Sequence, residues 1–331
     1  MLRQAHCQRG LGRLFSLRGD YALALSWLEH ARATYLAVND QQGLRRTVIR
    51  IGWVYDRLGN SAQARTVLQE GLTMSRAAND WHSVAESLND LGINAYRKGE
   101  REQAMTLWQE SLPIRRQIGD KPGMAMSLGN LGVAALRVLS DYGKARALLE
   151  EALAIQREIG DKLNTAKALN NLGSIAKTQG DLLTARAYTE ESLTLLRELG
   201  AKSVMASVLN NLGHLTLEQG DCVKAYTLYA ESLALNRESN DKHGIAGSLA
   251  GLIGAAAAQQ QAHKAACLSG AIESLLTAID AKLDPPDMAV YQHGMTMVRS
   301  SLDEAALGNA LAEGKAMSLE QAVAYALQGQ G

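Results

Sequence analysis

Apolar residues in this chain recur with two periods at once. On the short scale they fall three and four apart, as in Leu169, Leu172, Ile175 and Ala176, which puts one apolar stripe on a helix. On the long scale the whole arrangement repeats about every forty residues. An apolar residue followed by glycine marks each unit: Leu11-Gly12, Ile51-Gly52, Leu91-Gly92, Leu131-Gly132, Leu172-Gly173 and Leu212-Gly213, so the glycines are 40, 40, 40, 41 and 40 residues apart. Seven or eight residues later comes a turn pair: Gly19-Asp20, Gly59-Asn60, Gly99-Glu100, Ser140-Asp141, Gly180-Asp181 and Gly220-Asp221. Small residues follow at Ala24, Ala64, Ala104, Ala145, Ala185, Ala225 and Ala265. Self-similarity at this period is the signature of a solenoid, in which each unit buries its apolar face only against its neighbours.

Within a unit the pattern predicts two helices joined by a short turn. In residues 165–200, Gly180 is placed to close the first helix and Asp181 to cap the second, whose face continues through Ala185, Thr189, Ser192, Leu193 and Leu196. Short turns force consecutive helices to pack antiparallel. Gly173 and Ala185 would let helix A and helix B approach closely. A further small series, Ala31, Gly71, Ser111, Ala152, Ser192 and Ser232, is expected where helix B meets the next hairpin. The single extra residue between Gly132 and Ser140 predicts a bulge or a longer turn in the fourth unit.

Leu-Gly in helix A, a Gly-Asp turn and two small residues in helix B resemble the tetratricopeptide repeat. The resemblance covers about residues 1–272 as seven hairpins, the last degenerate, with Ile253 at the glycine place and Gln260-Gln261 at the turn. The forty-residue period exceeds the usual 34 and lengthens the helices, as in kinesin light chains and the Leu-Gly-Asn-repeat polarity proteins. HEAT repeats share the length but not the glycine–alanine signature. The expected fold is all-α: a right-handed superhelical solenoid of antiparallel hairpins over residues 1–282, then a helical C-terminal cap over 283–331.

In the tail, Leu283-Asp284-Pro285-Pro286 reads as a rigid break, followed by short helices over 287–301, 303–314 and 318–328. Asp303 is a candidate N-cap, and Ser318 with Gln321 fits a capping box. The runs AACLSGAIESLL, LDPPD and ALGNALAEGKAMSLEQAVAYAL resemble the end of the repeat region in MalT-like, LuxR-type and AfsR-type bacterial regulators of the signal-transducing NTPase class. That resemblance implies a sensor or scaffold arm. It also implies an upstream NTPase or signalling domain missing from this chain, an expectation reinforced by a first helix that starts almost at Met1.

Composition narrows the chemistry. Hydrophobic residues are 47% and charged residues 21%, and the formal net charge is zero, which argues against binding nucleic acid by phosphate neutralisation. Residues 1–50 hold eight arginines and three acidic residues, a local balance of 8 − 3 = +5, read as a solvated face or as a docking surface for an acidic partner. Cys7, Cys222 and Cys267 are far apart and suit a reducing compartment. No apolar run reaches membrane-span length and no secretory signal is present, so the expected location is cytoplasmic.

Catalytic motifs are absent from this reading. GNALAEGKA (308–316) has the wrong glycine spacing for a phosphate loop and follows no strand. The seven histidines show no metal-ligand spacing with a second ligand, so no metal and no cofactor are expected. One polar constellation remains, on helix A just before each glycine: Asn89-Asp90, Asn130, Asn170-Asn171 and Asn210-Asn211. By the resemblance, helix A lines the concave groove and such asparagines hold an extended peptide by its backbone, since one amide offers both donor and acceptor. The alternative is that they bridge neighbouring A helices. Arg46, Arg50, Glu86, Lys167, Lys177 and His214 lie a turn or more away and would select partner charge. The function expected is thus a non-enzymatic module binding a protein or peptide. A small-molecule inducer sensor is the rival, for which Trp53, Tyr55, Trp81, Tyr96 and Trp108 would supply an aromatic pocket.

Overall fold

The structure, a computed structural model, describes residues 1–328. The last three residues of the cap expected over 283–331, Gly329-Gln330-Gly331, lie outside the described residues. Helices account for nearly all of the rest, in two compact units, Met1–Gly160 and Asp161–Gly331. The first holds α1 (Leu2–Arg18), α2 (Tyr21–Ala37), α3 (Gln41–Arg57), α4 (Ser61–Ala77), α5 (Trp81–Arg97), α6 (Arg101–Ile118), α7 (Lys121–Ala134) and α8 (Tyr142–Glu158). The second holds α9 (Lys162–Thr178), α10 (Leu182–Leu199), α11 (Lys202–Glu218), α12 (Cys222–Glu238), α13 (Lys242–Ala258) and α14 (Ala262–Ala278). It continues into α15 (Pro285–Ser301), α16 (Glu304–Ala316) and α17 (Leu319–Leu327). Along the repeats of each unit each helix packs on the next in the chain, and A helices also touch one another, α1 with α3 and α3 with α5 in the first unit and α9 with α11 and α11 with α13 in the second.

The glycine series sets the helix spacing. A methyl group on Gly12 would lie 2.6 Å from Leu28, on Gly52 2.6 Å from Leu68, on Gly132 2.7 Å from Leu149, and on Gly173 2.7 Å from Thr189 Oγ1. Gly92 meets the Trp108 ring and Gly213 the Tyr229 ring in the same way. Ser111, Ser192 and Ser232 donate to the Ala85, Ala166 and Ala206 carbonyls at 3.0, 2.7 and 2.8 Å, so this small series binds helix B to its own helix A. It also reaches the following hairpin where a serine faces it, as in Ser232–Ser248 at 2.9 Å.

The turns follow the expected chemistry. Gly180 takes the left-handed conformation at φ 81°, and the Asp181 carboxylate accepts from Thr184 N at 3.1 Å. The extra residue after Gly132 is absorbed by a five-residue π-helical turn, Ala135–Leu139, at the end of α7. A π turn takes in one residue without breaking the helix.

The tail differs from its reading in one respect. Pro285 and Pro286 open α15 instead of standing as a break before it, because the fixed proline φ suits first-turn positions that need no amide donor. Asp303 caps α16 through Ala306 N at 2.8 Å, and Ser318 and Gln321 form the reciprocal capping box of α17. α15 packs on α13, α16 on α14, and α17 on α12 and α14. No helix among the described residues is long and apolar enough to cross a membrane.

Candidate functional site

The A-helix asparagines pair along each unit. Asn130 Nδ2 donates to Asn89 Oδ1 at 3.2 Å, and Asn89 Nδ2 donates to Asp90 Oδ1 at 3.2 Å. Asn211 Nδ2 donates to Asn170 Oδ1 at 2.9 Å, while Asn171 makes no side-chain hydrogen bond among the described residues. The Asn130–Asn89 and Asn211–Asn170 bonds bridge successive A helices, and the Asn89–Asp90 bond lies within α5. An amide carries two N–H groups and a carbonyl with two lone pairs, so each paired asparagine retains capacity for a further partner.

Charge sits beside the ladder in the first unit. Arg50 approaches Glu86 at 3.7 Å and stacks over Trp53, 5.5 Å from the ring centroid. Asp90 lies among Glu86, Arg50 and Arg115; burial, reinforced by Glu86, pushes its carboxyl up to about 7. Arg46 is exposed, as is Lys167 in the second unit. Of the five aromatics only Tyr96 and Trp108 are in ring contact with each other among the described residues, 5.8 Å between centroids. Trp108 is buried and donates to the Asn89 carbonyl at 3.2 Å, Trp53 lies under Arg50 and Arg57, and Trp81 is exposed.

In the second unit three of the expected residues come together. Lys177, Asn211 and His214 line a cavity of about 240 Å³ with Gly173, Ser174, Thr178, Thr189, Leu215 and Pro286. Lys177 approaches Glu218 at 3.7 Å, and burial lowers the affinity of its ammonium for its proton. The tail reaches the same place: Asn210 Nδ2 donates to Asp287 Oδ1 at 2.7 Å, at the start of α15. His214 is buried, with Nε2 3.1 Å from Asp287 Oδ1 but off the line a hydrogen bond needs, so that nitrogen is unpaired. Asn210 Oδ1 is buried and unpaired as well. Of these two residues His214 lines the cavity, while Asn210 lies behind it against Asp287. The contribution of Asp287 and Pro286 was invisible in the sequence, because α15 reaches this face only through tertiary packing.

A second cluster corrects the reading of the histidines. His263 and Cys267 are one turn apart on α14, and Glu313 of α16 joins them, with one candidate ligand atom from each within 4.8 Å of the others. The i, i+4 spacing of His263 and Cys267 is legible in the sequence, whereas Glu313 joins them only through the docking of α16. Burial pushes the Cys267 thiol up to about 11, so it is no nucleophile at neutral pH.

Long hairpins with a glycine–alanine interior and a polar A-helix face define a helical repeat protein. The chain belongs to the tetratricopeptide repeat family: tetratricopeptide repeat models match residues 3–77, 124–198 and 84–118, more than half of its length. No curated protein sequence matches the chain. Several solved structures share the fold at low identity. The apo form of RapI superposes with a TM-score of 0.62 at 16% identity, over 89% of this chain and 97% of RapI. A signal transduction ATPase with numerous domains from Pyrococcus horikoshii, which has a tetratricopeptide repeat sensor, gives 0.62 at 16% over 94% of this chain. This chain spans only 44% of that protein. The Rap conjugation gene regulator of plasmid pLS20, in complex with the Phr* peptide, gives 0.57 at 14% over 89% of this chain and 73% of its own.

Proposed function

We infer that the chain is a non-enzymatic protein-interaction module, the sensor or regulatory arm of a bacterial signalling or transcriptional regulator. Residues 1–282 form its binding solenoid and 283–331 its cap. The A-helix face takes a peptide or a peptide segment of a protein, with Asn89, Asn130, Asn170, Asn171, Asn210 and Asn211 facing its main chain. Arg46, Arg50, Lys167, Lys177 and His214 choose its side chains. The observation that carries this reading is the cavity that Lys177, Asn211 and His214 line together, three of the expected residues on one face. The Lys177 ammonium and the Asn211 amide favour an acidic or carboxylate-bearing residue, and Asp287 of the tail already presents one to Asn210 nearby. The peptide-bound pLS20 Rap regulator and the repeat sensor of the P. horikoshii ATPase support the assignment by fold. The tail resemblance supports an upstream NTPase or signalling partner and a cytoplasmic setting.

The test is a random peptide library screened against the full chain. Peptides selected by the wild type should lose at least about tenfold in affinity, about 1.4 kcal/mol, with Asn130→Ala/Asn171→Ala/Asn211→Ala. Equal binding by that variant, folded, removes the ladder from the site and leaves it as an internal bridge. A small-molecule inducer is the second reading, favoured by the presence of a half-open cavity, although about 240 Å³ is small for such a site. It predicts that Lys177→Ala abolishes binding of small carboxylates while Asn130→Ala, in the other unit, keeps it.

A further inference from the structure

α14 presents His263 and Cys267 on one face, and the approach of α16 is set by two glycines. A methyl group on Gly314 would overlap the Cys267 carbonyl, and one on Gly270 would overlap the Leu311 carbonyl. The two backbones therefore touch at Cys267, and Glu313, next to Gly314, is delivered directly above the thiol. Cys267 Sγ lies 3.6 Å from His263 Nδ1 and 3.6 Å from Glu313 Oε2, and His263 Nε2 lies 3.6 Å from Glu313 Oε2. Tetrahedral zinc with ordinary Zn–S, Zn–N and Zn–O lengths separates such ligand atoms by about 3.3–3.6 Å. The histidine and the glutamate are more than half exposed, so the ring can turn to offer one nitrogen to both partners.

We propose that His263, Cys267 and Glu313 bind one zinc ion that fastens α16 to α14. A thiolate, an imidazole and a carboxylate are a borderline-soft donor set, which suits zinc and not magnesium or calcium. The thiol forms the buried floor and the two exposed side chains close over it. The fourth position is left to water, next to a shallow surface depression lined by Glu313, Met317, Gln321 and Tyr325 among others. Binding displaces the thiol proton to solvent, so affinity rises with pH. This site lies apart from Lys177, Asn211 and His214 and does not depend on the function proposed for them.

Cobalt(II) titration of the reduced full chain, followed by zinc displacement, tests the site. One equivalent should bind with a thiolate-to-cobalt charge-transfer band and tetrahedral visible bands, and zinc should bleach both. His263→Gln and Glu313→Gln, which alter exposed side chains, should each weaken cobalt binding by at least about tenfold. Cys267→Ser should abolish the charge-transfer band, and Cys7→Ser/Cys222→Ser should keep it. The proposal is overturned if the folded wild type gives no such band, if the band survives Cys267→Ser, or if neither exposed-ligand variant weakens binding.

Discussion

The two units place polar side chains at the same register of helix A, yet use them differently. In Met1–Gly160 the residues two places before the glycines include Arg50 and Asp90, and the network closes on itself through Arg50–Glu86 and Asn130–Asn89–Asp90. In Asp161–Gly331 the same places hold Asn171 and Asn211, and the network stays open: Asn171 makes no side-chain hydrogen bond among the described residues, and Asn211 and His214 line a cavity with Lys177. Position alone therefore does not make a binding face. What decides it is whether the neighbouring side chains satisfy each other or leave capacity for something else.

The largest effect expected is on the tail of the second unit. Gly314→Ala pushes a methyl group into the Cys267 carbonyl, which backbone cannot yield, so α16 should detach at a cost above about 3 kcal/mol. Thermal unfolding combined with limited proteolysis after α14 reads this, and an unchanged melting curve would refute the close contact. Asp90→Asn should restore asparagine in the first unit and stabilise it above neutral pH. Between about pH 4 and 7 folded Asp90 holds a proton that the unfolded chain has released, so its penalty grows as pH rises and is complete above about 7. The gain, ~1–3 kcal/mol after discounting for partial access to water, should vanish toward pH 4 in urea titrations at stepped pH.

Asp287→Ala probes the open network. It leaves Asn210 Nδ2 without its acceptor, which should cost about 1–3 kcal/mol in denaturant unfolding. The same change frees Asn210 and His214 from the tail carboxylate, and library-selected peptides should bind the variant more tightly than the wild type. Weaker or equal binding would make Asp287 part of the site instead of its occupant. The smallest effect belongs to the surface: Arg197→Ala, which removes the exposed pair with Glu231, should change stability by no more than about 0.5 kcal/mol.

The repeat core was legible because its information is local. Gly12, Gly52, Gly132 and Gly173 meet a helix B residue sixteen or seventeen positions on, and Gly180-Asp181 forms its turn from adjacent residues. The extra residue in the fourth unit was visible as a break in spacing, but not its form, since a bulge, a loop and a π turn all count one residue. The candidate site was half legible. Lys177, Asn211 and His214 could be placed on one face from their register, whereas Asp287 comes from 77 residues beyond Asn210 and Glu313 from 46 beyond Cys267. Such pairings are decided by how α15 and α16 dock, and no periodicity encodes that.

The glycine contacts also bear on how the protein is made. Each key approach joins residues within one hairpin, so little chain entropy is lost in forming it, and contacts this local favour fast folding. A hairpin can close its own seam as soon as its second helix clears the ribosome, long before α15 and α16 exist to dock. The zinc ligands and the Asp287 contact, which span far more chain, would then be the last parts of the molecule to form.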